Sequence, residues 1–80
     1  MFFLRDLIEE AKRHPKGYLH LKSLLDMAEH ILYWNDYSKE ELDEARDLLE
    51  ANELGYLLFL SQSEFEKERD RLLSLWWKTL

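Results

Sequence analysis

The chain has 80 residues, a net charge of −6 and no cysteine. A folded chain of this length buries only about 60% of the surface of its unfolded state, so we expect marginal stability. The lack of cysteine excludes disulfides, thiolate zinc sites and iron–sulfur clusters, and no apolar run approaches the ~20 residues of a membrane span. We therefore expect a soluble single domain, residues 1–80, for which a second subunit is the simplest additional source of stability.

The opening stretch MFFLRDLIEEAK does not have the pattern of a secretory signal. Its apolar run is short and acidic residues follow at once, whereas a signal requires a basic start and a longer apolar run. We expect a cytoplasmic protein that is not exported by this route.

The negative charge is concentrated in one segment. Residues 36–53 contain eight acidic and two basic residues, whereas the segments on either side are neutral overall. Nucleic-acid binding requires clustered positive charge, so direct binding of DNA or RNA is not expected.

Helical spacing of apolar residues predicts an all-α fold, a small compact bundle of three or four short amphipathic helices. The first helix is predicted at residues 3–14, where Pro15 and Gly17 end it. The second is predicted at residues 19–34 and has the most regular apolar stripe in the chain, which consists of Leu21, Leu24, Leu25, Ala28, Ile31 and Leu32.

The third helix is predicted at residues 39–54, after a break at NDYS. Ser38 and Glu41 have the spacing of a capping box at its start, and Gly55 is expected to close it in the left-handed conformation. Its inner face is expected to hold Leu42, Ala45, Leu48, Leu49 and Asn52.

The apolar run at residues 56–60, YLLFL, fits either a buried strand or a helical stretch. Because no second strand-like run exists to pair with it, we favour a connector or a continuation of helix. The last helix is expected to begin after Ser61 or Ser63 and to extend to about residue 78.

No pattern in the chain predicts catalysis, a cofactor or a metal site. The three histidines lack the spacing of a metal motif, and two glycines cannot form a glycine-rich phosphate loop. The serines lie mostly near predicted helix starts, where capping explains them. We expect a protein that is not an enzyme, with no catalytic residue, no cofactor and no metal.

Two pairs of adjacent aromatic residues suggest a surface for a partner. Trp76 shares the apolar face of Phe65 and Leu72, so Trp77 must point towards the flank with Leu73. The same reasoning applies to Phe2 and Phe3, because the side chains of two neighbouring residues cannot both face one core. These rings either cover each other or form an exposed patch of the kind that marks a partner site.

Arg69 lies within the apolar face of the last helix. Its stem can follow the edge of the core while its charge reaches water, which is the reading that we favour. It can also pair with an acidic residue of the third helix, or lie at an interface, where Arg and Trp are enriched among residues that dominate binding.

The third helix offers an alternative surface. Its outer side carries a row of acidic residues, namely Glu40, Asp43, Glu44, Asp47 and Glu50. This row either keeps the protein soluble or imitates the phosphates of nucleic acid.

Residues 63–73, SEFEKERDRLL, loosely resemble the second helix of the short bacterial C-terminal SHOCT module, in which a polar turn leads into Glu-Phe-Glu, basic residues and Leu-Leu. The module's usual glycine-then-aliphatic turn is replaced by LLFLSQ. No fold, function or site residue is carried over from this likeness.

These observations predict a non-enzymatic protein–protein interaction module, such as an adaptor, an inhibitor or a phage-encoded modulator. It is expected to bind another protein or itself, most simply as a homodimer, and not a membrane. The predicted aromatic surface comprises Arg69, Leu73, Trp77, Phe2 and Phe3. The alternative is an acidic mimic that inhibits a DNA- or RNA-binding protein through residues 39–54.

Overall fold

The computed structural model describes residues 3–34 and 37–79, which form an all-α fold. The α-helices in these ranges are Leu4–Arg13 (α1), Tyr18–Glu29 (α2), Lys39–Leu48 (α3) and Gln62–Trp76 (α4). The remaining helical segments are a π-helical turn at His30–Trp34 and 3₁₀ helices at Gly55–Phe59 and Trp77–Thr79. The prediction of a small helical bundle is confirmed. Within these ranges, no helix is both long enough and apolar enough to cross a membrane.

The core is built around α2, because its apolar stripe serves more than one neighbouring helix. Leu21 and Leu25, and Ile31 in the π-helical turn that continues α2, are completely buried, and both α1 and α4 pack against α2. Full burial of one such side chain contributes about 1.5–3 kcal/mol, so α2 supplies a large share of the stability. The buried partners from α1 and α4 are Leu7, Ala11, Phe65 and Leu72.

Serine side chains begin α3 and α4. The Ser38 hydroxyl accepts a hydrogen bond from the Glu41 backbone N–H at 3.2 Å. Ser61, and not Ser63, caps α4 through a complete capping box with Glu64. Because the Ser61 backbone N–H and hydroxyl both stabilise the ionised carboxylate, the pKa of Glu64 is lowered.

The apolar run at residues 56–60 is a helical connector and not a strand. It lies mostly in the 3₁₀ helix Gly55–Phe59, in which Leu57 and Leu58 are buried and Phe59 is exposed. The Arg46 side chain of α3 fixes this connector, because its Nε donates to the Leu58 carbonyl at 2.7 Å and its guanidinium lies over the Phe59 ring.

The third helix is shorter than the sequence analysis expected, since it ends at Leu48 and not at residue 54. The chain turns there, so that Leu49 is buried while Leu48 is 51% exposed. The assignment of Leu48 to the inner face was therefore wrong. Asn52 lies in the turn, where its Nδ2 donates to the Ala11 carbonyl at 2.8 Å and its Oδ1 accepts from the Leu54 N–H at 2.9 Å.

Gly55 is required for a reason that differs from the expected one. Neither glycine lies in the left-handed region of φ, so Gly55 does not close a helix in that conformation. Instead its backbone lies against the Leu49 carbonyl, and a Cβ added at this position would be 1.9 Å from that oxygen. The turn between α3 and the connector can close only without a side chain here.

Helix α4 runs in the opposite direction to α2. Three contacts show that α4 is antiparallel to α2: Tyr33 with Phe65, Glu29 with Arg69, and Tyr18 with Trp77. In contrast, α1 and α3 run side by side in the same direction. The Leu4 N–H at the start of α1 donates to the Tyr37 hydroxyl just before α3, and the end of α1 is bonded to Asn52 after α3.

Substitution of Gly55 by Ala should destabilise the fold by about 2 kcal/mol, because the new methyl group collides with backbone that cannot move aside freely. Gly17→Ala is the matched control. Its Cβ would be 3.7 Å from the nearest atoms, in ordinary contact, so the expected cost is only that of Ala in place of Gly at the N-cap of α2, about 0.5 kcal/mol. Urea denaturation of both variants tests this, and equal stabilities would contradict the close-approach explanation.

Candidate interaction surfaces

Trp77 is held at the start of α2 with most of its side chain in solvent. Its ring meets the Tyr18 ring edge to face, with centroids 6.1 Å apart, and it remains 60% exposed. Thr79 fixes this arrangement, because its hydroxyl accepts from the Tyr18 N–H at 2.8 Å and donates to the Trp76 carbonyl at 2.7 Å. Trp77 is therefore positioned by the fold and still available to a partner.

The rings of Trp77 and Tyr18 border an open groove of about 530 Å³ between α2 and α4. We call this groove the Trp77 surface, and its lining residues are Tyr18, Asp70, Leu73, Ser74 and Trp77. The structure brings Leu73 and Trp77 together, because they are four residues apart on one side of the helical segment. Trp76 instead packs against the core and lies 6.0 Å from the His14 ring.

Arg69 binds the second helix, not the third. Its Nη1 lies 2.5 Å from Oε2 of Glu29 on α2, and its Nε lies 3.4 Å from Oδ1 of Asp70. Burial lowers the pKa of Arg69, but the Glu29 and Asp70 carboxylates outweigh this effect, so its pKa is raised overall. Arg69 is a partly buried link between α2 and α4 beside the Trp77 surface, and it is not among the residues that line this surface.

Phe3 lies at the opposite end of the bundle from Trp77. It directly precedes α1, at the end where Leu4 is bonded to Tyr37, whereas Trp77 contacts the first residue of α2. The 12-residue length of α2 separates these ends by about 18 Å. The structure therefore does not combine Phe3 and Trp77 in one surface, although both are exposed. The other member of the expected pair, Phe2, lies outside the described residues.

A second groove, which the sequence analysis missed, runs between the parallel helices α1 and α3. We call it the α1/α3 groove; it has a volume of about 430 Å³. Its apolar floor comprises Leu4, Ile8, Ala45 and Leu48, and its charged borders comprise Arg5, Glu9, Lys12, Glu41 and Glu44. In the sequence, the helical spacing of Leu4 with Ile8 and of Ala45 with Leu48 indicates that each pair lies on one face of its helix. Only the topology of the fold places the two pairs side by side.

All five residues of the alternative acidic surface are exposed. Four of them lie on α3, whereas Glu50 lies in the turn after its end. Asp43 pairs with Arg46 at 3.1 Å, and Glu44 borders the α1/α3 groove. The five carboxylates therefore do not form the regular row that a continuous helix over residues 39–54 would present.

The histidines form individual contacts. His20 Nε2 lies 2.7 Å from Glu10 and His14 Nδ1 lies 3.4 Å from Glu53, while His30 contacts the Asp26 carbonyl. Across residues 3–34 and 37–79, histidine and carboxylate side chains do not gather into a group of three or more that could bind a metal ion.

Comparisons of the chain with models of protein families, with curated proteins and with solved structures find no match. The resemblance of residues 63–73 to the SHOCT module is thus not supported by a family match.

The Arg69–Glu29 pair should stabilise the fold more than an exposed pair does. Its side chains are 26% and 19% exposed, against 52% and 47% for Lys22 and Asp26. A double-mutant cycle with Arg69→Met and Glu29→Gln should give a coupling free energy of about 1 kcal/mol, because the pair is partly shielded from water. The cycle for Lys22 and Asp26 should give about 0.3 kcal/mol.

Urea unfolding of the single and double variants measures both couplings. Equal coupling free energies for the two pairs would show that Arg69 does not link α2 and α4. A contact with a partner would then again be a possible role of Arg69.

Proposed function

We propose that this chain is a small, non-enzymatic protein-interaction module of the cytoplasm, acting as an adaptor, inhibitor or modulator, and that it docks through the Trp77 surface onto another protein. The observation that carries the proposal is a tryptophan that the fold fixes and yet leaves 60% exposed. Trp is among the residues most enriched at the centres of interfaces. Its position beside Leu73 and Tyr18 gives a partner a pre-arranged apolar contact.

The charges beside this surface favour a different protein over a second copy as the partner. Among the described residues, Asp70 is the only charged one that lines it, and the adjoining cluster of Glu29, Arg69 and Asp70 has two carboxylates for one guanidinium. A symmetric dimer would place this patch on its own copy, so like charges would meet. A partner with a basic residue beside an apolar side chain fits better.

Trp77→Ala should weaken binding of the partner by about 2 kcal/mol, that is, about thirtyfold in Kd. Trp34→Ala is a matched control, because Trp34 is 64% exposed but lies at the far end of the π-helical turn, away from the Trp77 surface. The full-length chain and both variants would be used to isolate binding proteins from a lysate of the source cells. The Kd of each purified candidate would then be measured by calorimetry.

Two results would contradict this proposal. One is an unchanged Kd in Trp77→Ala, and the other is an equal loss of affinity in Trp34→Ala. Circular dichroism of each variant would confirm that the helices are retained.

The second candidate function is inhibition of a DNA- or RNA-binding protein by mimicry of nucleic acid. It is favoured by the exposure of all five acidic residues of the row. The variant with Asp43→Asn, Asp47→Asn and Glu50→Gln should then lose binding to the same purified partner while the fold is retained. Docking through the Trp77 surface requires instead that this triple variant binds almost as well as the wild type.

A further inference from the structure

The α1/α3 groove is an apolar seam between two borders of different charge. The α1 border carries Arg5 and Lys12 with Glu9 between them, and the α3 border carries Glu41 and Glu44. Leu48 leaves half of its surface exposed in the floor. In the described part of the chain, neither Arg5 nor Lys12 forms an ion pair, so both cations remain available to a partner.

We propose that the α1/α3 groove is a homodimer interface, in which a second copy of this chain packs its own α1 and α3 over the seam. This interaction is distinct from docking through the Trp77 surface. It rests on the self-complementary charges of the groove, since a two-fold interface brings the same patch of both copies together.

The charges select one orientation of the two-fold axis. An axis parallel to the groove places α1 of each copy over α3 of the other, so the α1 border, with two basic residues and one acidic residue, meets the wholly acidic α3 border. An axis across the groove places α3 over α3, so Glu41 and Glu44 meet their own copies. Like-charge contacts at an interface are costly, and therefore the first orientation is the one adopted.

The direction of the helices sets which residues meet. A two-fold axis along the groove keeps each residue at the same height along the groove in both copies. Because α1 and α3 also run in the same direction, the start of α1 in one copy lies over the start of α3 in the other. Arg5, one residue after the start of α1, then faces Glu41 near the start of α3 in the other copy. The same contact occurs twice, once on each side of the axis, and the apolar floors of the two copies, which include Ile8 and Leu48, form the seam between them.

Exchange of charges tests this geometry directly. Arg5→Glu alone places a new carboxylate against Glu41 of the other copy at both contacts, and Glu41→Arg alone places two guanidinium groups together. Each variant should weaken dimerisation by about tenfold or more. In an equimolar mixture, one copy supplies a carboxylate at both positions and the other supplies a guanidinium at both. Both contacts are then complementary, and the mixture should dimerise about as well as the wild type.

Sedimentation velocity over a hundredfold range of concentration measures the mass of each sample, with circular dichroism as the check of fold. The expected result is a wild-type dimer, two weakened variants and a restored mixture. Wild type that stays monomeric at every concentration, or a mixture that remains as weak as its components, would overturn the proposal.

Leu48→Glu provides a second test that does not depend on the charge exchange. It places a carboxylate in the seam and should dissociate the dimer. Leu19→Glu should not, because Leu19 is an exposed leucine that lies on α2 and outside the seam. Trp77→Ala should leave the dimer unchanged. A dimer that Trp77→Ala dissociates and Leu48→Glu leaves intact would assign self-association to the Trp77 surface instead, and would overturn the present proposal.

Discussion

The packing of two helices against α2 is the constraint on which the rest of this structure depends. Leu21, Leu25 and Ile31 are fully buried, and α1 and α4 reach the core by contact with this helix. A chain of this length has too little interior to bury every apolar residue, so several large apolar side chains, among them Leu48 and Trp77, are left at the surface. The two grooves arise where such residues lie between neighbouring helices.

The sequence contained enough information to predict most of the fold. The apolar stripe of α2 and the serines before α3 and α4 are local signals, since periodicity and capping depend on residues at most four positions apart. The direction of Trp77 away from the core was predictable for the same reason, because Trp76 faces inward, whereas local geometry left open whether another part of the chain covers the Trp77 ring. These features follow from helical geometry and do not require knowledge of how the helices are arranged.

The features that could not be predicted all depend on the tertiary arrangement. Gly55 is needed for its contact with the Leu49 carbonyl, which exists only once the turn has closed. Arg69 finds its partner on α2 because α4 is antiparallel to that helix, whereas the only ion pair considered from the sequence was with an acidic residue of the third helix. The same topology separates Phe3 from Trp77 and creates the α1/α3 groove, which no single helix contains.

The distribution of charge distinguishes the two surfaces more clearly than their apolar content does. Both grooves expose apolar side chains, but Asp70 gives one of them a negative charge, while the other has borders of both signs. A surface with one sign of charge fits a partner of the opposite sign, whereas a surface with both signs can fit its own copy. This difference is the reason why we propose a different protein as the partner of the Trp77 surface and a second copy as the partner of the α1/α3 groove.

The proposed dimer and the Trp77 surface are also compatible in space. Trp77 lies at the start of α2, close to the end of α1, and a two-fold axis along the groove keeps equivalent residues at the same level. Both copies of Trp77 would then lie at the same end of the dimer. A partner with two equivalent sites could engage both at once, and the second contact would benefit from a high effective concentration. Self-association through α1 and α3 would in this way strengthen docking through Trp77 without adding any new contact to it.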